Sequence, residues 1–271
     1  MAEALEIKPT CAVVTDACCD LPAEMLMRIG VGCCGTEPKV VELASMYRDL
    51  FERGFSEIVS VHAGEAVDVV RTAAAAVGDS PRVTVIDAHL VSAALALVVE
   101  RAAFAAASGL PGDEVSACAN KVASETVLYV VSDPRAPRQG EGGVKDRLAY
   151  LRRRALGTRH LVRITAEGHT VMTESTELPG LTGRLAQALS GCSRRKGELC
   201  YLEAAGSNAG SLAQLEKPFD TNEYVSHRLE KIIPAPTLAR FAGPDSLGVA
   251  VVPQAVYGDH GSSLFAKSHI D

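Results

Sequence analysis

Three aspartates each close a short apolar run: Asp16 follows CAVVT, Asp87 follows VTVI and Asp133 follows VLYVVS. Acids at the carboxyl ends of buried strands can face a shared cleft, and two of them around a divalent ion would suit phosphoryl chemistry. The plainer alternative is helix capping in contact with solvent. His62 ends the run FSEIVSVH and His89 follows Asp87, so the two could share one rim of a parallel sheet. There, either could hold a carboxylate or phosphate oxygen or act as a base near neutral pH. Ser60, Ser92 and Ser132 lie nearby in sequence, but no G-x-S-x-G elbow occurs and spacing alone assembles no triad. Cys18 and Cys19 sit beside a helix start, where a thiol can become nucleophilic, although adjacent cysteines more often pack. No G-x-x-x-x-G-K-[ST] loop is present, and no nucleotide cofactor is expected. With no C-x-x-C spacing, no metal centre is expected either.

The stretch that must position these groups runs from Val83 to Gly109, VTVIDAHLVSAALALVVERAAFAAASG. Its start is a β-branched strand ending in Asp87. From about Leu90 to Ser108 it is rich in Ala and Leu, carries one charged pair at Glu100 and Arg101, and stops at Gly109. A helix so apolar must be covered on most sides, which places it within an α/β layer structure. Its small residues permit either close helix–sheet packing or room for a slender apolar ligand.

Strands are expected at Cys11–Thr15, Gly30–Gly35, Phe55–His62 and Val127–Asp133, separated by helices at Ala44–Arg53, Glu65–Ala76 and after Pro111. Asp20 is placed to cap a short helix from near Pro22 to Arg28. This alternation predicts a largely parallel βαβ layer. Pro134–Gly143 (PRAPRQGEGG) is a break in the pattern, and a basic helix comes after it. Beyond it, HLVRIT and HTVMTE form a hairpin around Ala166-Glu167-Gly168. Thr182–Leu189 is a helix, Gly197–Gly206 contains a strand and Ser211–Leu215 begins a helix. Glu223–Ile232 reads as an amphipathic helix, Thr237–Phe241 as a short strand, and Leu247–Pro253 as the last ordered run. The fold class is thus α/β and two-lobed, a parallel-sheet lobe over 1–157 and a mixed α/β lobe over 158–257. The tail 258–271 is expected to be loose.

The 271 residues carry a net charge of -6, which gives nucleic acid no reason to bind. The arginines of Arg147–Arg159 are a local exception, read as a solvated face or a docking surface for an acidic partner. No run reaches transmembrane length without charge, and MAEALEIKPT lacks the pattern of a secretion signal, so the expected location is cytoplasmic. The eight cysteines then read as reduced, small hydrophobes.

The opening VVTDACCDLP (Val13–Pro22) resembles the V-T-D-S-x-x-D-L-P of the DegV family, and VTVIDAHLVSAALAL (Val83–Leu97) is similar to its V-x-V-I-D-S segment. VLYVVSD, RITAEG (Arg163–Gly168) and FAGPDSLGVAVV (Phe241–Val252) come in the family's order. The resemblance implies a two-lobed DegV-like fold that buries a long-chain fatty acid between sheet and helices. It further implies no enzymatic activity of its own, a separate fatty-acid kinase as partner and peripheral encounters with membrane. Carried over, the head-group candidates are His62, Ser92, Thr15, Asp16 and the amides around Gly64. The tunnel-lining candidates are Ala93, Ala94, Ala96, Leu97 and Phe241. Several positions depart from the family: Ala63–Val69 replaces its S-S-x-L-S-G-T, Ala88 its serine, Ala94 and Ala96 its glycines, and Phe241 and Asp245 a histidine and a glycine. Only Gly142-Gly143-Val144 remains of a glycine-rich loop. Two alternatives stand beside the lipid carrier: a divergent member that lost the head-group site and serves as an interaction or structural protein, and a metal-dependent phosphoryl hydrolase using Asp16, Asp87 and His62.

Overall fold

The computed structural model describes residues 9–64, 66–78, 82–136, 154–207, 212–220 and 223–265. Three short runs rich in β-branched residues, β1 (Cys11–Thr15), β3 (Glu57–His62) and β4 (Arg82–Asp87), and the shorter Val-Gly-Cys of β2 (Val31–Cys33) make the first sheet. All pair in parallel, in the order β2-β1-β3-β4. Parallel neighbours require crossover helices, here α1 (Ala23–Arg28), α2 (Val40–Glu52) and α3 (Ala66–Val77). Leu43, Tyr47, Val70 and Ala73 from α2 and α3 bury one face of this sheet.

The other face meets α4 (Ser92–Ala107) and α5 (Gly112–Glu125). Beyond these helices lies a mixed second sheet, ordered β7-β6-β5-β10-β8-β9. Its strands are β5 (Val127–Val131), β6 (Arg159–Thr165), β7 (Gly168–Ser175), β8 (Leu199–Ala205), β9 (Ser226–Ile232) and β10 (Leu247–Pro253). Only β8 and β9 pair in parallel; the other ladders are antiparallel. The outer face is covered by α6 (Leu178–Lys196) and the short α7 (Leu212–Glu216), through Leu181, Leu185, Leu189 and Leu215. Two further short helices are α8 (Pro236–Ala242) and α9 (Gln254–Tyr257).

Helix α4 therefore lies between two sheets, and every residue in it except Phe104 and Ala107 is buried. Its alanines let both sheets approach, and one core joins Val13, Val59 and Val61 to Leu128, Leu202, Ala204 and Val252. The fold is the two-lobed α/β arrangement expected, with a parallel first sheet and a mixed second one.

Four expectations need correction. Strand β5, assigned to the lobe ending at residue 157, is an interior strand of the second sheet, between β6 and β10. Glu223–Ile232 holds a strand, because Ser226–Ile232 pairs in parallel with β8, and a register shift that skips Leu229 lets both Leu229 and Ile232 be buried despite their helix-like spacing. Thr237–Phe241 lies in a helix that Pro236 opens at the position where its missing N–H costs nothing. The tail is not loose over Asp259–Phe265: a 3-10 turn spans His260–Ser262 and Phe265 is fully buried. Most of the PRAPRQGEGG break, the glycines near Val144 and most of the arginine-rich segment fall outside the described residues.

Candidate functional site

Alternation along β3 divides the proposed polar groups between two layers. Val59 and Val61 pack toward α4, while Ser60 and His62 point to the α2 side. There His62 is fully enclosed in a chain of hydrogen bonds. Its Nδ1 lies 2.7 Å from Asp16 Oδ2, its Nε2 2.7 Å from Ser60 Oγ, and Ser60 Oγ is 2.8 Å from Tyr47 Oη. Asp16 Oδ1 accepts from the Cys18 backbone N–H at 2.7 Å. The spacing resembles a nucleophile–base–acid relay. However, Ser60, His62 and Asp16 have no accessible surface, and Tyr47 closes the serine end. As it stands, the relay braces β1, β3 and α2. Burial pushes the Tyr47 hydroxyl up to about 12, consistent with a neutral donor.

Most of the remaining candidates have local partners. Thr15 Oγ1 donates to the Val61 carbonyl across β1 and β3 at 2.9 Å. Gly64, at φ +67°, makes the turn into α3, a conformation a side chain would oppose. Asp87 pairs in register with His62, but its carboxylate accepts from the His89 backbone N–H at 3.1 Å and lies 3.3 Å from His89 Nδ1. Asp133 stands at the end of the second sheet, receives hydrogen bonds from Arg135 and the Asp245 N–H, and is held below the usual carboxylate range by them. The three aspartates therefore do not share a cleft. Among the described residues no three His, Cys, Asp or Glu side chains come together to hold a metal ion. The hydrolase reading, which needs Asp16, Asp87 and His62 around one ion, fails on that geometry. Asp68, within the segment that replaces the family's S-S-x-L-S-G-T, points to solvent beside Arg71.

Ser92 is different. It opens the sixteen-residue α4, is fully buried, and its hydroxyl has no hydrogen-bond partner. Its φ is +53°, and His89 three residues earlier also has φ +53°. Left-handed residues other than glycine are costly, and two so close store strain at the entry to one helix. The first turn of a helix also presents backbone N–H groups without internal acceptors and favours negative charge. Here the Ala94 N–H already donates to the Val91 carbonyl at 3.2 Å, and the buried Ser92 hydroxyl is the group left without a partner at this helix start. Along the helix from it, Ala93, Ala94, Ala96 and Leu97 have no accessible surface, and Phe241 on α8 is half-buried against the same core. In this conformation those positions are packing, so a ligand beside them requires neighbours to separate.

Sequence reasoning missed two polar clusters. Glu100 and Arg101 form a buried ion pair inside α4, joined by Tyr257 and Ser263; the signal was a charged pair within an otherwise apolar helix. Glu203 on β8 is buried with neither carboxylate oxygen hydrogen-bonded, 3.7 Å from Lys231 Nζ. Beside it, a cleft of about 400 Å³ is lined by Tyr201, Ala213, Glu216, Lys217, Phe219, Asp220 and Arg228. The eight cysteines are all free thiols. Burial pushes Cys18 and Cys34 up to about 12, where little thiolate forms.

Residues 35–134 match the family model described as uncharacterised protein, DegV family. Among solved structures, the DegV family protein Cg2579 of Corynebacterium glutamicum is similar with 18% identity and a TM-score of 0.75, over 90% of this chain and 98% of that one. A DegV family protein of Thermus thermophilus, described as binding fatty acid, is similar with 17% identity and a TM-score of 0.75, over 90% and 99% of the two chains. A stearic-acid-binding protein of Eubacterium ventriosum is similar with 14% identity and a TM-score of 0.71, over 89% and 98%. No curated protein matches the sequence. The sequence match to the DegV family model covers residues 35–134, and the likeness of fold to these solved structures runs over about 90% of the chain. Among the described residues no helix is long and apolar enough to cross a membrane.

Proposed function

We propose that this protein binds a fatty acid without acting on it, holding the carboxylate at the start of α4 and the acyl chain along that helix. The observation that carries the reading is the Ser92 hydroxyl, buried and without a partner at the N-terminus of a long helix. An unsatisfied buried donor costs about 1–3 kcal/mol, and a carboxylate would relieve that cost while gaining from the helix end. The likeness of fold supports the choice of ligand, since the similar proteins from Thermus thermophilus and Eubacterium ventriosum are described as binding fatty acid and stearic acid. In this proposal Ala93, Ala96 and Leu97 touch the chain, Thr15 and Gly64 frame the head group, and Asp16 and His62 brace the wall behind it. Presentation of the carboxylate to a separate kinase, and a cytoplasmic location, are the finer parts of the same proposal.

A second reading is favoured by a specific observation. Ala88 stands where the family's serine is expected, and residues Ala93–Val99 have no accessible surface. On that reading the pocket has closed and the fold serves as an interaction module. Native mass spectrometry of freshly purified protein, followed by titration with fatty acids, separates the two. The carrier reading expects one bound acid per chain and a weaker complex in Ser92→Ala. Absence of any complex across the titration overturns it in favour of the second.

A further inference from the structure

We infer that the buried Glu100–Arg101 pair is a polar stop that limits the acyl chain this protein accepts to roughly ten carbons, the length of helix between Ser92 and Glu100. The inference rests on the proposal that the protein binds fatty acid. Ala93, Ala96, Leu97 and Glu100 recur at the i, i+3, i+4, i+7 spacing of one helical stripe. A chain that begins at Ser92 and tracks this stripe therefore meets the Glu100 carboxylate head on. At 1.5 Å per residue the eight steps from Ser92 to Glu100 span about 12 Å. An extended hydrocarbon advances roughly 1.25 Å per carbon, the projection of a C–C bond of about 1.5 Å.

The stop is built to stay in place. Glu100 Oε1 accepts from Arg101 Nη2 at 2.8 Å, the Leu264 backbone N–H at 2.7 Å and Ser263 Oγ at 3.1 Å. Glu100 Oε2 accepts from Arg101 Nε at 2.6 Å and from Tyr257 Oη at 2.7 Å. The Arg101 guanidinium lies 4.3 Å from the ring centroids of both Phe104 and Tyr257, and its Nη1 donates to the Tyr257 carbonyl at 3.1 Å. Every polar atom of the pair is satisfied within the pair or by the segment Tyr257–Leu264. A methyl terminus arriving here could advance only by stripping a charge of its partners, which apolar contact cannot repay. The similar protein of Eubacterium ventriosum is described as binding stearic acid, a longer chain; this protein should not accept it.

The test uses the full-length protein and a ladder of octanoic, decanoic, dodecanoic, palmitic and stearic acids, measured by calorimetry below their micellar limits. Affinity should rise about fourfold per added methylene while each is buried, then level or fall beyond decanoic or dodecanoic acid. In the double variant Glu100→Leu, Arg101→Leu the plateau should move to longer acids. An affinity that keeps rising through stearic acid in the wild type overturns the stop but upholds fatty-acid binding. No binding of any acid overturns the fatty-acid reading and the stop with it. Should the double variant fail to fold, the wild-type ladder decides alone.

Discussion

At the scale of single residues, two buried groups lack the partners their chemistry asks for, and each makes a prediction of opposite kind. Ser92 has a hydroxyl that no protein atom satisfies. Ser92→Ala should therefore raise the stability of the empty protein by about 1 kcal/mol, read from urea unfolding, while lowering fatty-acid affinity roughly tenfold or more, because a hydrogen bond to a charged acceptor is worth about 1.5–3 kcal/mol. A variant that loses stability and keeps affinity would show the hydroxyl to be structural. Glu203 has a carboxyl that burial first, and the Glu216 charge second, push up from 4.5 to about 7, against the opposing pull of Lys231 and Arg228. The folded state thus holds this proton more tightly than the unfolded chain. The stabilisation is complete below pH 4.5 and is lost as pH rises through about 7. Glu203→Gln cannot titrate, so the wild type should lose on the order of 2–3 kcal/mol relative to it across that window. Urea unfolding at several pH values measures this, and parallel curves for the two proteins would refute the assignment.

At the scale of elements, the layers were legible in the sequence and the cross-connections were not. The strand–helix alternation through Asp87 and the Ala-rich helix after it are local patterns, and β1, β3, β4 and α4 stand where periodicity placed them. Asp20 shows where that reasoning stops. A capping residue is recognised by the helical run just beyond it in the chain, and for Asp20 that run is Pro22–Arg28. In the fold its carboxylate instead accepts from the Thr237 N–H at 2.7 Å and the Leu238 N–H at 3.1 Å, the second and third residues of α8. The same long-range control made a strand of Ser226–Ile232, whose composition also suits a helix, and it turned His62 and Asp16 toward Tyr47 and away from Ser92. Periodicity identified the polar residues; only pairing and strand alternation decide which face each one serves. Asp20→Ala leaves two N–H groups of α8 unpaired and should cost about 2 kcal/mol, whereas Asp20→Asn, which keeps one acceptor oxygen, should cost less. Chemical denaturation of the two variants checks the order, and equal costs would mean that the side chain merely fills space.

At the scale of the whole molecule, the chain closes on itself around α4. Its early part supplies the parallel sheet, its later part the mixed sheet, and the residues after β10 return to seal the middle of the helix between them. Tyr257 and Ser263 satisfy Glu100, Leu264 donates its N–H to the same carboxylate, and Phe265 is buried in the shared core. This is the only acidic side chain within α4, and a buried charge is tolerable only while its partners remain. Removal of residues 259–271 takes away two of those partners together with a buried aromatic ring, while the Arg101 pairing persists. The expected loss is about 3–5 kcal/mol, combining a broken buried network with a vacated aromatic site. Tyr257→Phe, which deletes one hydrogen bond to the charged group and preserves the ring over Arg101, should cost about 1.5–3 kcal/mol. Equilibrium unfolding in urea measures both, and the truncated chain should also show faster amide exchange in α4 than the full chain, because the helix loses the segment that seals it. A truncation with unchanged stability and unchanged α4 exchange would mean that the returning segment lies on the core without holding it, and the polar stop would then rest on Arg101 and Tyr257.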